Sequence, residues 1–458
     1  MKKKKEINGL PKPKFGTGMP VVNQFAAGID VGDTEHHLAF PDGQGGFEQH
    51  VFGCFTLDLA SLVALLKSKG ITTVAMEATG VYYVALYLMI EEAGIEPFLV
   101  NARHCKNVTG RKADDTDAVW ICKLHSCGLL RKSFQPEAEF RVLREYVRHR
   151  KTLISVNSDS VRRMQKSLEL MNIKVHTVIS DILGKSGMAM IRAILAGERD
   201  PGVLAGFRSS RMKASEEEIR KSLEGIWRDE HLFTLRQAYD DYQFRLGQIK
   251  ECEKMIESQL TKQVAIIREG DLTGLFPAEA PKKKTGGRAP KKNQFDASLE
   301  PLLAALVGVN LCKLPGMGEV SVLEFLAETG TDMSKWEDSS HFAAWLNLAP
   351  NTKKTGGKIV STRMMKKKNA AGQTLKMASQ SLWRSKSSIG NFYRKMKARS
   401  GGKGAVLATA HKIARTIYVL IKEQKEYDPE VANENQQKYN AKRIRQLEKQ
   451  LEQLKKIA

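Results

Sequence analysis

An α/β domain with a mixed sheet, followed by a long helical arm and a mainly α third domain, is the fold class that this sequence predicts. Three observations carry that prediction. Strand-like and helix-like apolar patterns alternate over the first part of the chain, the signature of a sheet covered by helices. Between residues 140 and 265 the period changes to a heptad. Residues 279–295, EAPKKKTGGRAPKKNQF, then combine Pro, Gly and six basic residues without any period, which marks a flexible linker to a further domain. At roughly 150 residues per domain, a chain of 458 residues suits three such parts.

Taken in order, residues 1–24 form a basic tail and residues 25–135 the α/β domain. Ala26 to Phe40, AAGIDVGDTEHHLAF, reads as an apolar strand, a Gly-punctuated turn and a second alternating strand. A helix follows over Leu57 to Lys69, a short strand over Thr72 to Glu77, a helix from Val81 to Ala93, a strand over Pro97 to Val100 and a helix over Asp115 to Leu130. In the arm, residues 136–270, one seam holds Val147, Ile154, Val161, Met164, Leu168 and Met171, interrupted by Arg150 and Asn157. A second seam holds Leu232, Leu235, Tyr239, Tyr242, Leu246, Ile249 and Ile256. Two long helices joined through a Gly-containing stretch predict an antiparallel hairpin, closed within the chain or paired with a second subunit. The linker is assigned to residues 271–300 and the third domain to 301–428. That domain opens with LPGMGEVSVLEFLAETG, where a Gly-x-Gly turn exposing backbone N–H groups leads into an amphipathic helix and suits a phosphate, as in helix-hairpin-helix motifs. Leu375, Ala378 and Leu382, then Ile389, Phe392 and Met396, are spaced for buried helix faces, and in residues 429–458 Ile444, Leu447, Leu451 and Leu454 suit a short terminal helix.

Charge narrows the class of partner. The chain carries 73 Lys and Arg against 51 Asp and Glu, a formal charge of +22. Hydrophobic residues make up 42%, enough for real cores, so wholesale disorder is excluded. The excess is clustered: from Asn351 to Lys422 there are 18 Lys and Arg and no acid, where the chain average would place ~8 acids. Counterion release from phosphates rewards such clusters, so a polyanion is the expected partner. The N-terminal run MKKKKEINGLPKPKFG has no apolar stretch behind it, and no window approaches the roughly 20 uninterrupted apolar residues of a membrane span. Neither secretion nor a membrane partner is expected, and six scattered cysteines without a disulfide pattern suit a reducing cytoplasm.

Four carboxylates stand where the catalytic acids of a ribonuclease-H-like fold are wanted: Asp30, Glu77, Asp114 and Asp117. Asp30 interrupts the apolar strand in GIDVG, where an uncompensated carboxylate would be costly, and Glu77 ends the strand VAME in the same way. Asp114 and Asp117 in RKADDTDAVWI are three apart at a helix start and share one face, while Asp115 points elsewhere. Acids gathered from strand ends and a helix are what two Mg²⁺ ions need to clamp a phosphodiester. Singly, each has a plainer role, Asp114 as a helix cap and Glu77 as a surface residue. GIDVG also resembles the phosphate loop of sugar-kinase and actin-like ATPases, but no second phosphate loop or adenosine-binding Gly-rich motif follows a strand here.

The motifs GIDVG, MEATGVY, RKADDTDA, LPGMGEVSVLEFLAETG and HFAAWLNLAPNTKKTGGK, in that order around a helical arm, resemble the DEDD transposases of a bacterial insertion-sequence group that move DNA with a bridge RNA. The likeness covers most of residues 25–425. It implies a RuvC-like domain with the acids Asp30, Glu77, Asp114 and Asp117, a coiled-coil arm, a C-terminal transposase domain, double-stranded DNA and a guide RNA as partners, a dimer or tetramer, and a place near the bacterial nucleoid. In that family a serine just before a Gly pair attacks DNA and holds it as a phosphoserine. Here the matching residue is Thr355 in KKTGGK, and Ser361 is the second candidate.

A threonine keeps the hydroxyl, but its β-methyl crowds an incoming phosphorus and restricts χ1; its plain alternative is a hydrogen bond within its own turn. Gly356 and Gly357 permit close approach of a phosphate, with Lys353, Lys354, Lys358, Arg363, Lys366, Lys367 and Lys368 to neutralise it. Arg384, Lys386, Arg394, Lys395 and Arg399 form the expected backbone-contacting set. Cys122, His125 and Cys127 fit no common zinc spacing, and His36 and His37 near Asp30 suit a structural role better than a catalytic one. The expected activity is Mg²⁺-dependent cutting and rejoining of DNA; a hydrolytic junction nuclease and a non-catalytic nucleic-acid scaffold are the rival readings.

Overall fold

The computed structural model describes residues 20–101, 105, 116–210, 212–269, 293–350, 352–364 and 369–432, with 441, 444–448, 450, 452 and 453 near the end. The chain divides into two compact units, Met1–Gln135 and Pro136–Ala458. The first is a five-stranded mixed sheet clad in helices and the second is almost wholly helical, in agreement with the expected fold class.

In the first unit the strands are β1 (Ala26–Val31), β2 (Glu35–Pro41), β3 (Phe47–Gly53), β4 (Thr73–Glu77) and β5 (Glu96–Val100), ordered β3-β2-β1-β4-β5 across the sheet. β1, β2 and β3 form an antiparallel meander, while β4 and β5 run parallel to β1. Among the described residues the unit's helices include α1 (Thr56–Ser68), α2 (Tyr83–Glu92) and α3 (Asp117–Ser126). β3 escapes the apolar pattern because it is a half-exposed edge strand, FEQHVFG, with few large residues to bury. The helix expected over 115–130 is shorter, starting after its cap at Thr116.

Residue size alternates along the strands and assigns the two faces. Ile29, Val31, Leu38, Phe40, Val74 and Met76 pack under α1 and α2, each fully buried large side chain contributing about 1.5–3 kcal/mol. The opposite face presents Gly28, Ala39 and Ala75 to α3. A Cβ on Gly28 would stand 2.3 Å from the Cys122 nitrogen and 2.5 Å from the Ala118 carbonyl oxygen, so α3 lies directly on the β1 backbone.

The second unit begins with the arm. Helices α4 (Ala138–Leu170) and α9 (Asp229–Ile267) run antiparallel, as the cross-links Arg150–Glu253, Ser160–Asp241 and Ser167–Thr234 require. Between them α5 (Val175–Val178), α6 (Lys185–Leu195), α7 (Pro201–Ala205) and α8 (Glu216–Leu223) close a separate apolar core that includes Met164, Ile191, Leu204 and Leu235. The seam differs from a strict heptad: Leu153 is buried where Ile154 was expected, and Arg150 and Asn157 lie inside it. A straight helix drifts off the 3.5-residue period, and the guanidinium is tolerated because Glu253 meets it at 2.5 Å, the Asn293 carbonyl accepts from it at 2.8 Å and the Phe295 ring lies 4.3 Å away.

The remaining helices are α10 (Glu300–Val307), α11 (Glu319–Thr329), α12 (Ser339–Trp345), α13 (Ala370–Gln380) and α14 (Ser388–Glu423), with a two-stranded sheet of β6 (Lys353–Thr355) and β7 (Lys358–Ser361). Arg148 holds Glu328 with two bonds of 2.7 and 2.8 Å and Lys151 meets Glu324 at 3.2 Å, so the base of the arm is keyed to α11. Phe325, Trp336, Phe342, Trp345 and Tyr418 form an aromatic core. Gly401, at φ 72°, breaks α14 into two segments. Among the described residues α14 alone is long and apolar enough to cross a membrane, but half of its apolar window is buried in this unit. Residues 271–292 of the expected linker, and Leu451 and Leu454 of the expected terminal helix, lie outside the described residues.

Two substitutions test this packing. Gly28→Ala should destabilise the protein by about 1–3 kcal/mol, because the atoms it meets are helix backbone and cannot rotate away; an unchanged denaturation midpoint would show that α3 does not rest on β1. Glu253→Ala should cost about 3–5 kcal/mol by stranding the Arg150 charge in the seam, whereas replacing both partners with Leu and Met should cost far less. Denaturant titration of the two variants checks the difference.

Candidate active site

β1 and β4 are adjacent and parallel, with Ile29 opposite Met76, so Asp30 and Glu77 come next on the two strands, level with one another. Side chains alternate along a strand; Ile29 and Met76 face α1 and α2, and Asp30 and Glu77 therefore face the α3 side. Both stand at the carboxyl ends of parallel strands, where an α/β sheet opens its crevice.

Asp117 is the first residue of α3. The Thr116 side chain caps the helix, accepting from the Val119 N–H at 3.3 Å and donating to Gln49 Oε1 on β3 at 2.9 Å. At a helix N-terminus the dipole favours a carboxylate. Cys105 ties Asp117 to Glu77: burial first, then the charges of Glu77 and then Asp117, push its thiol up to about 11. The Cys105 carbonyl in turn accepts from the Trp120 indole at 3.2 Å, fixing that position against α3.

Asp30, Glu77 and Asp117 thus share one side of the sheet, while Asp114 and Asp115 lie outside the described residues. α3 begins at Asp117, directly after its cap at Thr116. Among the described residues, His, Cys, Asp and Glu side chains form no group of three that would hold a metal ion. The donor chemistry is nonetheless of the right kind, since Mg²⁺ is bound through carboxylate oxygens and water.

The histidines divide by strand face. His37 is paired with Asp30 across the antiparallel ladder, and its Nε2 lies 2.9 Å from Glu35. His36 faces the other way, buried, with Nε2 3.7 Å from the Cys54 sulfur; burial holds its pKa below the usual value. Cys122 and His125 pack α3 onto the sheet. Cys122 donates to the Ala26 carbonyl at 3.7 Å, and His125, whose pKa burial lowers to about 4, meets the Thr73 hydroxyl at 2.9 Å. Sequence reading missed Gly28, Gln49 and Cys105; only Gly28 left a signal, in the run of small residues AAG inside a strand.

In the second unit, Thr355 and Ser361 lie on one β-hairpin. Gly356 and Gly357 have φ of 55° and 78°, a two-residue turn with both φ positive, which glycine adopts without strain. Thr355 pairs with Lys358 at the shoulder of the turn and is exposed; Ser361 pairs with Lys353 at the far end, its hydroxyl accepting from the Arg363 N–H at 3.3 Å. Lys354 lies within β6, and Lys366, Lys367 and Lys368 lie outside the described residues. Lys358, Arg363, Arg384, Lys386, Arg394, Lys395 and Arg399 are all exposed.

Lys395 and Arg399 line a groove of about 960 Å³ with Phe392, Lys412 and Tyr427. Burial lowers the Lys412 pKa, and its ammonium lies 4.6 Å from the Phe392 ring. Arg394 has a structural duty as well, donating to the carbonyls of Trp383 at 3.1 Å and Ser385 at 2.7 Å.

Comparison with known proteins agrees with the division of labour seen in the fold. A comparison with curated proteins finds no match. The model of the transposase DEDD domain of the IS110 type matches residues 27–173, which include Asp30, Glu77, Asp114 and Asp117. The model described as transposase IS116/IS110/IS902 family matches residues 309–394, from just before the Gly-x-Gly turn through the hairpin to the start of α14. DEDD domains of this kind generally depend on a divalent metal, and transposases bind DNA. With two models of one family matching in order over just over half its length, the chain belongs to the IS116/IS110/IS902 family of transposases, enzymes that recombine DNA.

Proposed function

We propose that this chain is a Mg²⁺-dependent recombinase that cuts DNA by transesterification onto its own Thr355 and rejoins the ends, directed by a structured guide RNA. The placement of Asp30 beside Glu77, on the face where Asp117 opens α3, is the observation that carries the reading. Asp30, Glu77, Asp114 and Asp117 would hold the ions, which when bound supply Lewis acidity at the scissile phosphate.

The chain's own residues do the rest. Lys353, Lys354, Lys358, Arg363 and the run Lys366, Lys367 and Lys368 neutralise the DNA backbone around the hairpin, while Arg384, Lys386, Arg394, Lys395 and Arg399 extend that contact. At Gly356 and Gly357 no side chain stands between a phosphate and the turn. The Thr355 hydroxyl loses its proton and its oxygen bonds to phosphorus; the bond from phosphorus to the departing strand's oxygen breaks, and that oxygen takes up a proton. The phosphothreonine preserves the ester, so a hydroxyl at another strand end can attack it, join the strands and free Thr355. Ser361 is the alternative nucleophile. Exchange of this kind joins four strand ends, which suits a dimer or tetramer acting on double-stranded DNA, in the bacterial cytoplasm close to the nucleoid.

Changing Asp30, Glu77, Asp114 or Asp117 to Ala should abolish strand cleavage and leave DNA binding largely intact, while Asp115→Ala should cost little; gel assays of cleavage and of binding on one substrate check both. Full activity without Asp30 would remove the assignment. Thr355→Ala should remove the covalent protein–DNA adduct, Thr355→Ser should preserve or raise it by dropping the hindering methyl, and Ser361→Ala should leave it in place. Peptide mapping of the trapped adduct decides: DNA found on Ser361 displaces the nucleophile, and cleavage without an adduct would make water the attacking group.

A further inference from the structure

We propose that Trp383, which stands beside the cations Arg384 and Arg394 assigned above to the DNA backbone, is a stacking platform for an unpaired nucleobase. The inference rests on the reading that this unit binds DNA, and it adds that the DNA is held there with a base out of its duplex stack.

All five tryptophans are described, and four are buried or half-buried; Trp383 alone is exposed, at 47%. An exposed indole flanked by cations is a surface on which a base can stack. Its position is fixed from below. Trp383 lies in a 3-10 turn, Ser381–Arg384, whose Leu382 is buried beside Gly316 of the Gly-x-Gly turn. The Arg394 guanidinium clamps the turn through the Trp383 and Ser385 carbonyls. A rigid aromatic loses little entropy when a partner stacks on it.

Charge selects the partner. The Arg384 guanidinium lies 4.1 Å from the indole centroid and the Lys397 ammonium 6.0 Å from it. No acid occurs from Asn351 to Lys422. An apolar protein surface would have to desolvate these cations without return, whereas a nucleotide offers a base to the ring and a phosphate to the cations. Fully paired DNA keeps its base faces stacked and presents only backbone to such a surface. The platform therefore distinguishes melted or single strands, the form that DNA takes while strands are exchanged.

The test uses the full chain, a 20-nucleotide single strand and a fully paired duplex of the same sequence. Single strand should quench the tryptophan emission of the wild type, and Trp383→Phe should lose most of that quenching. Trp383→Leu should bind single strand about tenfold more weakly while binding the duplex within twofold of the wild type, with an unchanged circular dichroism spectrum. Equal quenching in Trp383→Phe, or equal loss of both affinities in Trp383→Leu, would overturn the proposal. Normal duplex binding by the wild type in that case leaves the DNA-binding reading standing; absence of duplex binding would overturn both.

Discussion

The meeting of α3 with the β1 backbone at Gly28 is the constraint on which the acid site depends. A helix ordinarily rests on a sheet through side chains, at a separation that leaves its first residue well away from the strand ends. Here the Ala118 carbonyl and the Cys122 nitrogen come within a side chain's width of Gly28. That closeness brings the amino end of α3, and Asp117 with it, over the same side of the sheet as Asp30 and Glu77. Thr116 and Gln49 fix the rotation of the helix about its axis, and Thr73 with His125 pins its other end. Small residues, at the cost of the large apolar burial seen on the opposite face, are what permit that close approach.

The second unit solves a different problem, that of specifying one pairing of two long helices. An apolar seam alone tolerates slippage by a heptad, whereas Arg150 inside the seam has only one place where a carboxylate can meet it. Glu253 supplies the carboxylate and residues 293–295 close over the guanidinium with a carbonyl and a ring. The return of the chain to the arm is thus tied to the register of the arm itself. Arg148 and Lys151, one turn or less from Arg150, then bond α11 rather than α9, so a single stretch of α4 sets both the pairing of the arm and its seating on the C-terminal helices.

Much of this was legible in the sequence because it is written in residue size and period. The hairpin of β1 and β2, the strands β4 and β5 and the helices between them follow from alternation, and the arm follows from its heptads. β3 was not legible: its side chains are half-exposed on an edge, so burial imposes little pattern on them. Arg150 looked like an interruption of the seam because its partner, Glu253, lies about a hundred residues away. Of the acid site, Asp30 and Glu77 were visible as carboxylates misplaced in apolar strands, while the contribution of Cys105 to the same region depends on tertiary placement alone. The glycine pair after Thr355 was read as room for a phosphate, with no shape assigned to it. It is instead a turn of defined geometry, since two consecutive positive φ values between two strands leave little freedom to the backbone.

The distribution of charge completes the division between the units. Acids in the first unit stand on strand ends and a helix start, where backbone dipoles and any cation they gather can offset them. Cations in the second unit stand on a hairpin and on the amino-terminal half of α14, exposed and without acids in the same stretch of chain. α14 is broken at Gly401: before the break it carries Arg394, Lys395, Lys397 and Arg399 outward while Ile389 and Tyr393 are buried, and after it Ala405, Ile413, Ile417 and Ile421 turn inward.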